Sequence, residues 1–133
     1  MKKHLLMIAI ASCFVAGQAS ALTKDEYNTA KAKIEADYKV DKTACDSMKD
    51  NAKDVCKKEA EAKEKVAKAD LEQQYKPSDS NARKVEEAKV ETAYDVAKEK
   101  CDDQKGAEKT ACVKQAKADE AKGKADVKAM KKM

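Results

Sequence analysis

The feature that most constrains the fold is a pair of cysteines separated by ten residues, which occurs twice in a chain with few large apolar side chains. One pair bounds CDSMKDNAKDVC (45–56) and the other bounds CDDQKGAEKTAC (101–112). The Cα atoms of a disulfide must lie within about 7 Å of each other, whereas an unbroken helix would hold these two about 16 Å apart along its axis. The spacing therefore requires either a bend inside each segment or bonds between the segments.

The residues at the centre of each segment favour a bend. The midpoints fall at Asp50–Asn51 and at Gly106–Ala107. Asn and Gly tolerate the left-handed conformation that ends a helix, and residues equidistant from the turn of an antiparallel hairpin face each other. We therefore predict two helical hairpins, closed by the disulfides Cys45–Cys56 and Cys101–Cys112.

The alternative is a pair of unbroken helices joined by Cys45–Cys112 and Cys56–Cys101. That arrangement resembles the twin-CX9C proteins, whose spacing is one residue shorter. In either case the disulfides supply stability that packing cannot, because closing a loop of this length adds about 3 kcal/mol. This contribution is large for a chain with so small a core.

The chain also resembles itself when it is shifted by 56 residues. KIEADYKVDKTACD (33–46) aligns with KVETAYDVAKEKCD (89–102), which superposes Tyr38 on Tyr94 and Val40 on Val96. Both cysteine pairs fall in the same register. A fixed period of this size indicates a duplicated supersecondary unit.

Helix-breaking residues and the spacing of apolar residues define the two repeated units. Pro77 ends a helix, and the polar residues 78–81 can cap the next one. Apolar residues recur at helical spacings rather than alternating as in strands. We predict an all-α fold of two tandem disulfide-stapled helical hairpins that form an extended bundle or coiled-coil-like array. The first hairpin spans 22–76, the linker 77–81, and the second hairpin, with a basic C-terminal tail, 82–133.

The N-terminal segment MKKHLLMIAIASCFVAGQASA is typical of a secretory signal peptide. A basic start precedes an apolar run, which ends in Ala19-Ser20-Ala21, the small-residue pattern cut by signal peptidase. We predict a cleaved signal peptide over 1–21, too short for a permanent membrane helix. The alternative is a lipoprotein whose lipid is attached to Cys13.

The composition after cleavage indicates a periplasmic protein. Loss of Lys2 and Lys3 lowers the 29 basic residues to 27, against 25 acidic residues. Four cysteines remain, an even number that is typical of disulfides in an oxidising compartment. Ala, Lys and Glu dominate, and all three favour helices.

The same composition argues against an enzyme. The only His is His4, so the mature chain has no histidine base, triad or histidine metal site. We predict no catalytic residue, no cofactor and no metal. The alternative function is a thiol-based metal-binding or redox protein, in which four thiolates form the site. The absence of any CxxC pair favours disulfides instead.

The tail suggests an alternative function, contact with an anionic polymer or membrane surface. The candidate contacts are Lys117, Lys122, Lys124, Lys128, Lys131 and Lys132. Export argues against a specific nucleic acid partner, and a solvated helix end is the competing interpretation. The other expected partners are an unidentified envelope protein or polymer and, from the exposed apolar stripes, a second copy of the chain.

The segment CDSMKDNAKDVCKKEAEA resembles a group of small exported proteobacterial proteins, rich in Ala, Lys and Glu, with repeated Cys-x10-Cys hairpins. They are commonly labelled cell-envelope or TolA-like proteins. The resemblance is most specific at 51–56, and the second unit departs from it at 106–112. It implies an envelope location and no particular activity. We expect a non-enzymatic periplasmic structural or interaction protein of the envelope, with stress association as one interpretation.

Overall fold

The protein is built from four helices in the part of the chain that the computed structural model describes, residues 21–131. They are α1 (Lys24–Cys45), α2 (Asp50–Tyr75), α3 (Asp79–Cys101) and α4 (Gly106–Met130), and no strand occurs in that range. The predicted all-α fold is confirmed. Residues 1–20 of the predicted signal peptide, Cys13 among them, and Lys132 lie outside the described residues.

Polar side chains cap the starts of α1 and α3, and the α3 cap falls in the polar segment 78–81, as predicted. The Thr23 hydroxyl accepts from the Glu26 N–H at 3.3 Å, and the Glu26 carboxylate accepts from the Thr23 N–H at 2.8 Å. This reciprocal pair satisfies two otherwise free donors of the first turn. The Ser78 hydroxyl accepts from the Asn81 N–H at 3.0 Å. Helix α3 begins directly after Ser78, inside the segment 77–81 that the sequence assigns to the linker.

A disulfide closes each hairpin at its turn. The Cα atoms lie 5.6 Å apart in Cys45–Cys56 and 5.7 Å apart in Cys101–Cys112, so the local pairing is confirmed. One residue in each turn adopts the left-handed conformation, Asp50 with φ 52° and Gly106 with φ 59°. In the first turn this residue is Asp50 and not the neighbouring Asn51, on which the sequence argument depended. The Asn51 amide instead donates to the Glu99 carbonyl on α3, at 3.1 Å.

The four helices lie in a row. Helix α1 packs on α2, α2 on α3, and α3 on α4, and no other pair of these four helices is in contact. A closed four-helix bundle would also bring α1 against α4. The inner helices α2 and α3 therefore have two packed faces each, whereas the edge helices α1 and α4 have one.

The core is thin and made of small side chains. Its buried members are Cys45, Ala60, Leu71, Val85, Ala88, Thr92, Cys101, Ala116 and Val127. The two least exposed are disulfide cysteines, Cys45 at 1% and Cys101 at 0%. The most protected places in the molecule are thus its covalent cross-links, in agreement with the expectation that disulfides supplement a small core.

Helices α3 and α4 approach closely at Gly123. A Cβ atom on Gly123 would lie 2.6 Å from a Val90 methyl carbon on α3, well inside normal contact distance. Glycine inside a helix costs about 1 kcal/mol relative to alanine. The close approach of Val90 gives this glycine a structural role.

Candidate functional surfaces

The four cysteines form cross-links, not a reactive site. Cys45 and Cys101 are buried, and their partners Cys56 and Cys112 are half-buried. Nucleophilic attack and metal binding require a thiolate, and each of these sulfurs is bonded to another sulfur. Within residues 21–131, no group of three or more His, Cys, Asp or Glu side chains is placed to hold a metal ion.

Two intramolecular disulfides are typical of proteins from an oxidising, exported environment. The described helices include none with the length and apolar content needed to cross a membrane.

An ion pair lies beside each disulfide. In the first hairpin Lys53 and Lys57 lie 3.2 and 3.8 Å from the Asp46 carboxylate. The hydrogen bond from Lys53, with its positive charge, holds the pKa of Asp46 below its usual value. In the second hairpin Lys109 lies 2.8 Å from Asp102, 56 positions further along. Both pairs bridge the end of one helix to the start of the next and reinforce the turn.

The structure brings four of the six candidate anion contacts together. Lys117, Lys124 and Lys131 follow each other at seven-residue intervals, and Lys128 is four residues after Lys124, so all four lie on one side of α4. Lys122 lies on a different side. The Lys124 ammonium is 2.6 Å from Glu120, and this hydrogen bond raises the pKa of Lys124.

An open groove of about 880 Å³ runs between α3 and α4 beside these lysines. Its basic side chains are Arg83, Lys124, Lys128 and Lys131, and its acidic side chains are Glu87, Glu91, Asp95 and Glu120. Four bases against four acids leave the groove without net charge, so its field does not select anions. Lys117 lies outside the groove on the same side of α4.

A tyrosine cluster closes the open end of the first hairpin. The rings of Tyr27 and Tyr75 lie 4.5 Å apart, and the Tyr27 hydroxyl donates to Glu72. That hydrogen bond raises the pKa of Tyr27. Tyr38 and Tyr94, which the 56-residue shift superposes, line the α1–α2 and α3–α4 crevices. The contact between Tyr27 and Tyr75 was not predicted from the sequence. The sequence signal for this contact is that Tyr27 and Tyr75 lie at nearly equal distances along the chain from the turn of the hairpin.

Two long helix faces at the edges of the row have no partner among the described helices. The outer face of α1 carries Thr29, Ala32, Ala36 and Val40, and the outer face of α4 carries Ala111, Ala118, Ala121 and Ala125. Ala121 and Ala125 also border the open α3–α4 groove. All eight residues are exposed. Val40 is 67% exposed. This exposure is unusual because the protein has few large aliphatic side chains.

Comparison with known proteins finds no family model that matches the chain, no similar curated protein and no similar solved structure. The class of the protein is therefore described by its architecture alone. It is a row of four helices in which a disulfide closes each of two hairpins.

Proposed function

We propose that the protein is a non-enzymatic structural or interaction protein of the periplasm that acts at the cell envelope. The open row of helices carries this proposal. Because α1 and α4 do not meet, both edges of the row present long helix faces to a partner. After the predicted cleavage the chain has no histidine, and its four cysteines are bonded in pairs, so it offers neither an imidazole base nor a free thiol nucleophile.

Export is the part of the proposal that rests on the N-terminal sequence and on the disulfides. Mass spectrometry of protein isolated from the periplasm tests it. We expect a chain that begins at Leu22 and is about 4 Da lighter than its reduced form, since each disulfide removes two hydrogens. A lipid-sized mass increase on a chain beginning at Cys13 would instead identify a lipoprotein, and Cys13→Ser is the matched control.

Interaction at the envelope is tested by photo-crosslinking in cells. A crosslinking residue placed at Ala36 or Ala118 lies on an unpartnered edge face, whereas the same residue at the exposed Ala52 lies on neither face. We expect adducts from the two edge positions and few from Ala52. An absence of adducts at both edge positions, with the protein present in the periplasm, would contradict the proposal.

The second candidate is contact with an anionic surface, favoured by the alignment of Lys117, Lys124, Lys128 and Lys131 on one side of α4 and opposed by the four acidic side chains of the groove beside them. Vesicles containing phosphatidylglycerol test it, because each lysine near an anionic membrane contributes about 1 kcal/mol. We expect replacement of Lys117, Lys124, Lys128 and Lys131 by Gln to abolish salt-sensitive binding. Replacement of four exposed lysines of α1 is the control, and an equal loss there would show that only net charge matters.

A further inference from the structure

The two unpartnered edge faces correspond to the two faces that pack on each other in the middle of the molecule. We propose that a second copy of this chain docks head to tail, with the outer face of α4 of one copy on the outer face of α1 of the next. This contact reproduces the α2–α3 junction between molecules. It goes beyond the proposed function, because it depends neither on the compartment nor on the absence of catalysis.

The α2–α3 junction is the template for this contact. Val85, Ala88 and Thr92 are buried and share one side of α3 by helical spacing, and Thr92 lines the crevice between α2 and α3. Two ion pairs cross it, Lys65–Glu91 at 2.7 Å and Lys100–Glu59 at 2.8 Å. Small side chains in its centre allow the helices to approach, and charged side chains at its rims fix their register.

The outer face of α1 matches the α3 side of the junction. A shift of 56 residues relates Val85, Ala88, Thr92 and Val96 to Thr29, Ala32, Ala36 and Val40, respectively. Val96 lines the crevice between α2 and α3, whereas its counterpart Val40 is 67% exposed. The face of α1 thus keeps the small residues and the valine of a packing surface but has no described helix to pack on.

The outer face of α4 matches the α2 side of the junction. The shift relates Val55, Ala62, Lys65 and Ala69 of α2 to Ala111, Ala118, Ala121 and Ala125, respectively. By helical spacing these alanines lie on the side of α4 opposite the buried Ala116 and Val127, and Ala121 and Ala125 also border the open α3–α4 groove. Their spacing of seven, three and four residues forms a seam about 21 Å long, comparable with the roughly 16 Å between Thr29 and Val40 on α1. Alanines permit close approach of a second helix without rearrangement.

Charged residues make the contact between copies weaker than the α2–α3 junction. Within the chain the hydrogen bond to Glu61 raises the pKa of Lys58, and the carboxylate of Asp95 across the junction adds to this rise. The counterparts of the Asp95–Lys58 pair, by the same shift, are Lys39 and Lys114, two like charges that would oppose docking. The α2–α3 junction also has the advantage of a covalent connection, which supplies an effective concentration of about millimolar order. Association between copies is therefore reversible and depends on concentration.

Sedimentation velocity of the disulfide-intact mature chain over a wide concentration range tests the proposal. We expect the average mass to rise with concentration, and Lys39→Asp, which restores the acidic counterpart of Asp95, to tighten association roughly fivefold. Ala36→Arg and Ala118→Arg each place a charge in the centre of one face and should abolish association. Ala52→Arg, outside both faces, should leave it unchanged.

A mixture of the two blocked variants separates head-to-tail docking from symmetric pairing. The Ala36→Arg chain retains an intact α4 face and the Ala118→Arg chain an intact α1 face. Their mixture should therefore form a dimer that cannot extend, whereas each variant alone stays monomeric. Unchanged circular dichroism shows that each variant is folded.

Two results would overturn the proposal. One is a monomer at every concentration for both the parent chain and Lys39→Asp. The other is loss of association in only one of the two Arg variants, which would indicate α1–α1 or α4–α4 pairing. Neither result bears on export or on crosslinking to other envelope components, so the proposed function is tested separately.

Discussion

The left-handed conformation of Gly106 makes this turn position sensitive to substitution. A Cβ on Gly106 would meet nothing within 4 Å, so the cost of a side chain there comes from its φ of 59° alone. We expect Gly106→Ala to destabilise the protein by about 1 kcal/mol. Gly106→Asn should cost less, because Asn tolerates this conformation. Thermal unfolding with the disulfides intact measures both, and an equal loss for the two variants would contradict the expectation.

Two carboxylates make the stability sensitive to acid. The backbone N–H of Thr23 holds the pKa of Glu26 below its ordinary 4.5, and Lys53 holds the pKa of Asp46 below its ordinary 3.8. A lowered pKa in the folded state means that the unfolded state takes up protons first as the pH falls. The stabilisation is therefore present above the ordinary values and is lost as the pH falls through the folded ones.

We expect the melting temperature to fall between about pH 5 and about pH 3. In the double variant Glu26→Gln with Asp46→Asn, the melting temperature should already be lower at neutral pH and should change less on acidification. Replacing an exposed carboxylate that makes neither a cap contact nor a salt bridge should have no such effect. If the parent and the double variant lost the same number of degrees, other groups would control the acid response.

At the residue scale the cysteine pairing could be predicted and the left-handed residue of the first turn could not. The pairing follows from spacing and from turn residues near the midpoint, both of which are local. Asn51 has the stronger local preference for the left-handed conformation, but its amide bonds to the Glu99 carbonyl on another helix. Asp50 takes the conformation instead, and no local pattern contains that tertiary contact.

At the scale of the helices, the contact between Gly123 and Val90 sets the distance between α3 and α4. Gly123→Ala would gain about 1 kcal/mol of helix propensity. The new Cβ would lie 2.6 Å from Val90, and overpacking of this kind costs typically 1–3 kcal/mol. Since valine has one side-chain torsion and is stiff in a helix, we expect the clash to prevail and the variant to be destabilised.

The double-mutant cycle with Val90→Ala is the control. In the Val90→Ala background the clash is absent, so Gly123→Ala should stabilise the protein by up to about 1 kcal/mol. Denaturant unfolding of the four proteins measures the coupling. Additive effects would show that Val90 does not restrict Gly123.

The spacing of apolar residues predicts one packed face per helix. Of the described helices, only the edge helices α1 and α4 have a single packed face. On α4, Ala116, Gly123 and Val127 recur at intervals of seven and four residues, and this single face packs on α3. Helices α2 and α3 each need a second face, and on α3 that face includes Ala88 and Thr92. Small or polar residues of this kind do not stand out from solvated positions, so periodicity alone cannot identify the second face.

At the scale of the whole molecule, an extended helical array could be predicted but the order of its packing could not. Composition excludes a thick core, and the cysteine spacing defines the hairpins. Whether the hairpins close into a bundle depends on contacts between α1 and α4, which leave no local signal. The observed row makes α1 and α4 the only described helices with a single neighbour, and each is tied to that neighbour by one disulfide.

The row therefore predicts which part of the molecule each disulfide protects. We expect replacement of Cys45 and Cys56 by Ala to speed amide exchange in α1, and replacement of Cys101 and Cys112 to speed it in α4. Each pair of substitutions should cost about 3 kcal/mol, while α2 and α3, which retain each other as neighbours, should remain the slowest to exchange. Faster exchange in α2 and α3 than in the edge helix, or full helical content after loss of both disulfides and mild heating, would show that packing rather than cross-linking maintains the row.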